Sequence, residues 1–456
     1  MSTIMEPLPV VASSKPLRRY PAWWFVGPLL KARNGDFAAL RTLLEEAPDA
    51  FYVRTPIGRI VYLNSPELVE SLLVSNHKHY HKDTGYAALR KAMGNGLVTS
   101  EGEFHLRQRR MIQPAFHKKR IDEYGEHMVH YARERGEGWT DGATMDVNAE
   151  MMAVTLKVIA KTMFDADVAD EIEKVYEAVN VMLKYFERYV NPTIGKMFDS
   201  LPLESTRRLR ESEKNLDEII YRFIRERREN PEDKGDLLSM LLMAQGDDGS
   251  GMTDAHVRDE CITLFLAGHE TTAVGLSWTW YLLSQHPEIE ARLHEELDRV
   301  LEGGRAATAA DVPQLDYTRR VLAESMRVRP PVPGFGRQAI RDNMLGAYQI
   351  FEGDNIVVSP YALQMRKEWF PEPDSFDPDR WLPERSAGIP KFAYFPFGGG
   401  VRKCIGEPFA WMEGILLLAT FAQQWKFRLA PDAKIGMDVK VTLRPKYGMK
   451  MSLHRR

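Results

Sequence analysis

Cysteine is scarce in this chain: two residues in 456, Cys261 and Cys404. Two thiols so far apart exclude a disulfide framework, and they are too few for a zinc finger or an iron–sulfur cluster. Charge of one sign is lacking as well, with 61 Lys and Arg against 64 Asp and Glu. That balance gives no overall basis for binding nucleic acid or an anionic membrane. The opening residues MSTIMEPLPVVASSKPLRRY show no basic-then-apolar leader pattern. PAWWFVGPLL is apolar but short and interrupted by Pro28; a bilayer span needs about 20 apolar residues. The expectation is a cytoplasmic, reduced protein without a membrane span.

One segment is long enough to span: CITLFLAGHETTAVGLSWTWYLL, residues 261–283. Its centre carries His269, Glu270, Thr271 and Thr272, and an acid at that depth marks a functional site rather than a lipid-facing one. The segment reads as a buried helix. It is expected to begin at Thr253 or Asp254, which are good caps, and to end near Gln285, just before Pro287. At 1.5 Å per residue such a helix is roughly 45 Å long and must run through the middle of the protein.

Helical spacing dominates elsewhere, as in residues 216–227 and 287–301. Strand-like alternation is confined to short pieces such as residues 50–63 and 354–358. Proline- and glycine-rich stretches mark loops, none of them a low-complexity linker, and no internal repeat is present. The expected fold is mainly α, one large helical body with a small β-rich region, over residues 1–456 as a single domain. Residues 1–49 are expected to pack on it as an N-terminal segment.

What is there is a cysteine behind three glycines: FGGGVRKCIG, residues 397–406. A phosphate loop needs a spaced G-x-G-x-x-G or Gly-Lys-Ser/Thr opening a helix, and the spacing does not match. A nucleophilic cysteine needs a positioned base, and no histidine lies in the surrounding segment. A structural cysteine fits poorly with so many glycines and two adjacent cations. A metal thiolate fits better, because a loop entering a helix supplies backbone N–H groups and the positive helix end. Glu407 and Pro408 suit a first helical turn. With one thiolate available, the metal must bring its other ligands, as haem does.

The loop resembles the haem-binding loop of the cytochrome P-450 family, Phe-x-x-Gly-x-Arg-x-Cys-x-Gly. Phe397, Gly400, Arg402, Cys404 and Gly406 meet every fixed position. The resemblance implies that Cys404 is the axial thiolate to haem b (iron protoporphyrin IX), that Phe397 shields the sulfur, and that Arg402 pairs with a propionate, for which a guanidinium fork is suited. The family's central-helix pattern, Ala/Gly-Gly-x-Asp/Glu-Thr, is matched by Ala267, Gly268, His269, Glu270 and Thr271. It implies that small residues at 267 and 268 let the helix approach the cofactor, and that Glu270 and Thr271 deliver protons for oxygen activation. Glu324 and Arg327, with Arg380 in FDPDRW, are similar to the family's buried triad. His105 and Arg109, four residues apart, and Arg337 fall where the family places propionate partners. One departure is visible: after SPYAL the family often has His-Arg beside the haem, and this chain has Gln364-Met365.

The implied activity is monooxygenation, with O2 as co-substrate and electrons drawn indirectly from NAD(P)H. No segment resembles a reductase domain, so a separate ferredoxin or flavodoxin-type donor with its reductase is expected. It would dock on cations such as Lys118, Lys119, Arg120 and Lys403. The substrate is expected to be a small apolar molecule, a fatty acid, terpenoid or steroid. Candidate wall residues are Met182, Tyr185, Phe186, Leu264, Phe265, Val332 and Phe335, with the turn near Tyr447 as a further wall. Rival readings are a peroxygenase, which should lack the Glu–Thr pair, and a haem sensor, which needs no proton relay. His77, His79 and His81 have no carboxylate or cysteine in register and are read as ordinary surface residues, and Cys261 as an apolar packing residue.

Overall fold

The computed structural model describes residues 15–33, 38–55, 58–165, 203–246, 249–439 and 441–456, together with residues 174, 177, 178, 181 and 201. Helices dominate, and the organising one is Asp254–Gln285. Thr253 caps it by accepting from the His256 N–H, and Pro287 opens the next helix, Pro287–Val300. Its 32 residues span about 48 Å. Nearly every turn is buried, Trp278 and Trp280 included. Within it Thr271, Ser277 and Thr279 each donate to the carbonyl four residues back.

The long helix packs most extensively on the helix Val147–Phe164. Gly268 permits that approach: a Cβ there would sit 2.7 Å from Ile159 Cδ1. Gly268 also lines the cavity that the helix borders. The helix Glu407–Ala422 packs across both Lys118–Glu137 and Asp316–Val328. It is apolar almost throughout and belongs to the same core.

The β structure of the described residues is divided among four small sheets. A six-stranded sheet runs in the order Arg18–Tyr20, Ala50–Thr55, Gly58–Leu63, Asn355–Val358, Phe335–Ala339, Tyr80–Lys82. The outermost pair is antiparallel and sets Lys82 directly opposite Arg337, so the two side chains leave the same face of the sheet. A three-stranded sheet joins Trp425–Leu429, Lys450–Arg455 and Thr144–Asp146. A hairpin of Met437–Val439 with Leu443–Pro445 is pinned to the long helix where Trp278 Nε1 donates to Leu443 O at 2.7 Å. Among the described residues no helix is long and apolar enough to cross a membrane.

Candidate active site

A cavity of about 610 Å³ opens between the long helix and the loop that precedes Glu407–Ala422. Cys404 is open to it, whereas Cys261 is buried in the helix core. The loop is shaped by its glycines. Gly398 and Gly400 have φ of 69° and 62°, a region that disfavours any side chain. A Cβ on Gly400 would also strike Leu73 O, and one on Gly399 the Phe392 ring. Gly399 and Gly400 thereby permit close packing against Phe392 and Leu73, while Gly398 and Gly399 border the cavity. Cys404 N donates to Phe397 O at 2.9 Å, which closes the loop. Burial pushes the Cys404 thiol up, while the Gly406 N–H and the nearby Arg109 and Lys403 pull it down.

At one end of the cavity stands a cluster of cations: Lys82, Arg109, Arg337 and Arg402, with His105. Arg402 donates to Ser100 O at 2.8 Å and pairs with Glu101, which also accepts the Lys82 N–H. Burial and the neighbouring Arg402 push Lys82 well below its ordinary value. Burial, then Glu101 and the repelling Arg337 and Arg109, leave Arg402 at about 10. Burial together with Arg402, Lys82 and Arg109 drives His105 down to about 3. His105 Nδ1 meets Ser100 Oγ at 3.2 Å, and its Nε2 is buried with no partner. A buried cluster of like charges with an orphaned ring nitrogen fits a ligand carrying carboxylates, as the propionates of haem are. Lys82 escaped sequence reasoning because only the strand register opposite Arg337 brings it here. Tyr86 stands beside Arg337 in the same cluster.

On the opposite wall Leu264, Ala267 and Thr271 face the cavity, at helical spacings of three and seven. Phe265, one position round, does not. Its ring lies 5.5 Å from His269, on a side shared with Phe164 and Phe223, so its assignment as a wall residue is corrected. Val332 and Phe335 do line the cavity. Met182, Tyr185 and Phe186 lie outside the described residues. Tyr447 is 59% exposed, and the C-terminal wall is instead formed by Val441 and Thr442.

Glu270 is buried, and its Oε1 accepts from Thr442 Oγ1 and, at 2.6 Å, from Arg444 Nε. Both partners come from the C-terminal hairpin, more than 170 residues away, and no sequence signal linked them to it. Thr271 Oγ1 donates to Ala267 O at 2.8 Å.

Glu324, Arg327 and Arg380 meet below the cysteine loop. Arg327 is bidentate on Glu324 at 2.7 and 2.9 Å, and Arg380 Nε reaches the same carboxylate at 3.3 Å. Gln364 stands where the resembling family often has a histidine. It is fully buried and donates to Met326 O and Arg327 O at 3.0 Å, bracing the end of the helix Asp316–Val328.

A second buried carboxyl, Glu413, has no hydrogen-bond partner of good geometry, with the Thr272 hydroxyl beside it. Burial raises it from the ordinary 4.5 to about 8. Between those values the unfolded chain is ionised while the native group keeps its proton, so its contribution to stability falls as pH rises. Denaturant titrations at several pH values should show a shallower decline in Glu413→Gln than in the parent. Glu260, raised to about 8 by burial, supplies the part that remains.

A single open thiol facing a cation cluster, under a helix that presents a hydroxyl, defines the protein as a haem-thiolate oxygenase in class. The cytochrome P450 family model matches residues 18–451, and the chain belongs to that family. It is 42% identical over 393 residues to cyclooctatin synthase of Streptomyces melanosporofaciens, covering 84% of each chain. To pentalenene oxygenase of Streptomyces avermitilis it is 35% identical over 375 residues, covering 81% of this chain and 82% of that one. The crystal structure of the cytochrome P450DA heme domain superposes with a TM-score of 0.85 at 26% identity, covering 98% of this chain and 99% of that one. The mainly helical P450 fold, the haem b cofactor and the monooxygenase class expected from the sequence all hold.

Proposed function

We propose that this chain hydroxylates a compact, multi-ring apolar substrate of terpenoid type, with Cys404 as the haem ligand. Haem with O2 supplies the oxidising chemistry, and the protein binds, orients and moves protons. Support for the substrate comes from the cavity, whose described walls are mostly apolar: Leu89, Met93, Leu264, Val332, Phe335 and Val441. Two relatives carry names that specify alkene substrates, pentalenene oxygenase and cyclooctat-9-en-7-ol 5-monooxygenase. Such a molecule is mostly apolar, with at most a hydroxyl as polar handle, so shape and exclusion of water do most of the orienting.

His105, Arg109, Arg337, Arg402 and Lys82 would hold the propionates, and Ala267 would leave room for the cofactor. The open side of Gly406 and the ring of Phe397 would lie against the sulfur side. The observation that carries the reading is Thr271 facing the same cavity as Cys404. Its hydroxyl can release the Ala267 carbonyl and hand a proton inward, with Glu270 next in line on the same helix. Arg444 and Thr442 hold the Glu270 carboxyl in place through their bonds to its Oε1. Thr271→Ala should keep consuming NAD(P)H while product per NAD(P)H falls roughly tenfold or more, the scale of a lost proton-transfer group. Full coupling in that variant would remove the relay role.

Electrons are proposed to come from a separate ferredoxin or flavodoxin-type protein. Three of the cations expected to receive it have acidic partners within the chain: Lys118 with Asp122, Arg120 with Asp233, and Lys403 with Glu407. Steering by this face is therefore weaker than the bare sequence suggested, and Lys119 carries more of it. Substrates can be screened by the spin-state change on binding, then by turnover with a surrogate ferredoxin and reductase.

A further inference from the structure

The turn of residues 94–100 contributes Leu97 and Val98 to the cavity wall, and its backbone is tied down on two sides. On one side the long helix supplies acceptors. Asp259 Oδ2 accepts from the Asn95 N–H at 2.7 Å, and Glu260 Oε2 from the Leu97 N–H at 2.9 Å. On the other side cations donate to carbonyls: Lys82 Nζ to Leu97 O at 3.2 Å and to Val98 O, Arg90 to Thr99 O, and Arg402 to Ser100 O at 2.8 Å. The turn closes on itself where the N–H groups of Thr99 and Ser100 reach Gly96 O at 2.9 and 2.8 Å. Surface loops leave many such groups to water; here protein partners replace it.

Two glycines let the turn come this close to the helix. Gly94 has a φ of 71°, and a Cβ there would fall 2.0 Å from Asp259 Oδ1. A Cβ on Gly96 would fall 2.2 Å from Thr263 Oγ1 and 2.7 Å from the Asp259 carbonyl oxygen. Thr263, one helical turn beyond Glu260, is buried with its hydroxyl unpartnered. The two carboxyl groups differ in their surroundings. Asp259 also accepts from Arg258 at 2.9 Å, on its own helix. Glu260 is 1% exposed. Burial raises it to about 8, so near neutrality it keeps its proton and accepts from Leu97 as a neutral group. An apolar side chain would serve the core at this position; only a carboxyl or amide oxygen serves the Leu97 N–H.

We infer that Glu260, assisted by Asp259, is a positioning residue of the oxygenase: by clamping the 94–100 turn to the long helix it fixes Leu97 and Val98, and so sets which apolar molecules the cavity accepts. The inference rests on the reading of this cavity as the substrate site. A ligand recognised by shape is selected only by a wall that does not yield to it. Glu260 itself touches no reacting atom. It lies eleven residues before Thr271 on the same helix, about 16 Å along the axis. The helix that presents Leu264, Ala267 and Thr271 to the cavity thus also carries the clamp, and the opposing wall moves with it as one frame.

The test uses the full-length, haem-loaded protein as parent, Glu260→Ala, Glu260→Gln and Gly96→Ala. Hydrogen exchange over residues 94–100 should run about tenfold faster in Glu260→Ala and Gly96→Ala, while residues 261–283 exchange as in the parent. Glu260→Gln keeps an acceptor oxygen for the Leu97 N–H and should restore the parental rate. Optical titration with imidazole, a compact ligand of haem iron, and clotrimazole, a bulky one, gives a selectivity ratio from their dissociation constants. That ratio should move about tenfold in Glu260→Ala and Gly96→Ala and return in Glu260→Gln. Neither readout needs turnover. A terpenoid that is not hydroxylated therefore leaves this result standing, and a failed clamp leaves the proposed hydroxylation standing. Exchange over residues 94–100 that stays parental, faster exchange that spreads equally through residues 261–283, or a ratio that does not move overturns the proposal. Gly96→Ala, which breaks the same contact from the turn's side, decides alone if Glu260→Ala does not load haem.

Discussion

Cys404→Ser is expected to yield a folded protein whose product formation falls by roughly a thousandfold or more, equivalent to ~4 kcal/mol or more of barrier. The substitution changes one atom in a loop whose shape does not depend on it. Cys404 N still donates to Phe397 O, and Gly398 and Gly400 still hold their turns. What changes is the donor offered to the metal. A thiolate pushes electron density towards iron and favours O–O cleavage; a serine hydroxyl stays protonated and does not. The measurement is the reduced, carbon-monoxide difference spectrum, in which thiolate-ligated haem has a far-shifted Soret band. The variant should lose that band while retaining bound haem. A shifted band that survives in Cys404→Ser would remove Cys404 as the ligand.

The surroundings of Cys404 sharpen this expectation. Burial holds the thiol above its ordinary value despite the Gly406 N–H and two nearby cations. A bound metal cation would stabilise the thiolate further. The same logic applies at the other end of the cavity. Lys82, Arg402 and His105 are all held below their ordinary values by burial and mutual repulsion, a state that carboxylates would relieve. Thiol and cations are both under-compensated in ways that one anionic, metal-bearing ligand corrects.

Much of this site was legible in the sequence, and the physical reason is local. The cysteine loop works through residues within ten positions, so its spacing is its signature. The central helix announces itself by an acid and hydroxyls inside an apolar run. What escaped was set by tertiary geometry. Adjacent apolar residues 264 and 265 look alike in sequence, and only helical phase sends one to the cavity and the other towards Phe164. Lys82 needed the strand register opposite Arg337. Glu270 finds its partners on a hairpin at the far end of the chain. Gly268 and the loop glycines were legible as small, but the neighbours they make room for, Ile159, Phe392 and the backbone at Leu73, were not.

Glu324→Ala should give little or no folded, haem-loaded protein at 37 °C, with a loss of about 3–5 kcal/mol for the broken buried pair alone. Glu324 and Arg327 are both wholly shielded from solvent. The carboxylate takes two bonds from Arg327, one from Arg380 at 3.3 Å, one from Trp381 Nε1 at 3.0 Å and one from the Asp377 N–H at 3.2 Å. Its removal strands two buried guanidinium groups and leaves the half-buried Trp381 indole N–H without its acceptor. Arg327 would still donate to Pro373 O and Ser375 O at 2.9 Å, which orients the charge without neutralising it. The damage should spread to the site. Trp381 packs on Tyr394 with centroids 4.2 Å apart. Tyr394 in turn donates from its hydroxyl to Ala323 O at 3.1 Å, and it sits just ahead of Phe397, where the cysteine loop begins. Glu324→Gln separates charge from shape: it keeps the volume and should still lose most of the stability, because two cations remain unpaired. The contrast is Glu218→Ala, which removes an ion pair with Lys214 in which Lys214 is 75% and Glu218 63% exposed. That change should cost about 0.5 kcal/mol or less. Chemical denaturation of the three variants, with haem content as a second readout, checks the order. Equal losses in Glu324→Ala and Glu218→Ala would show that the buried triad does not hold the core together. Total stability of a domain is only about 5–15 kcal/mol, so the first loss reaches expression and the second does not.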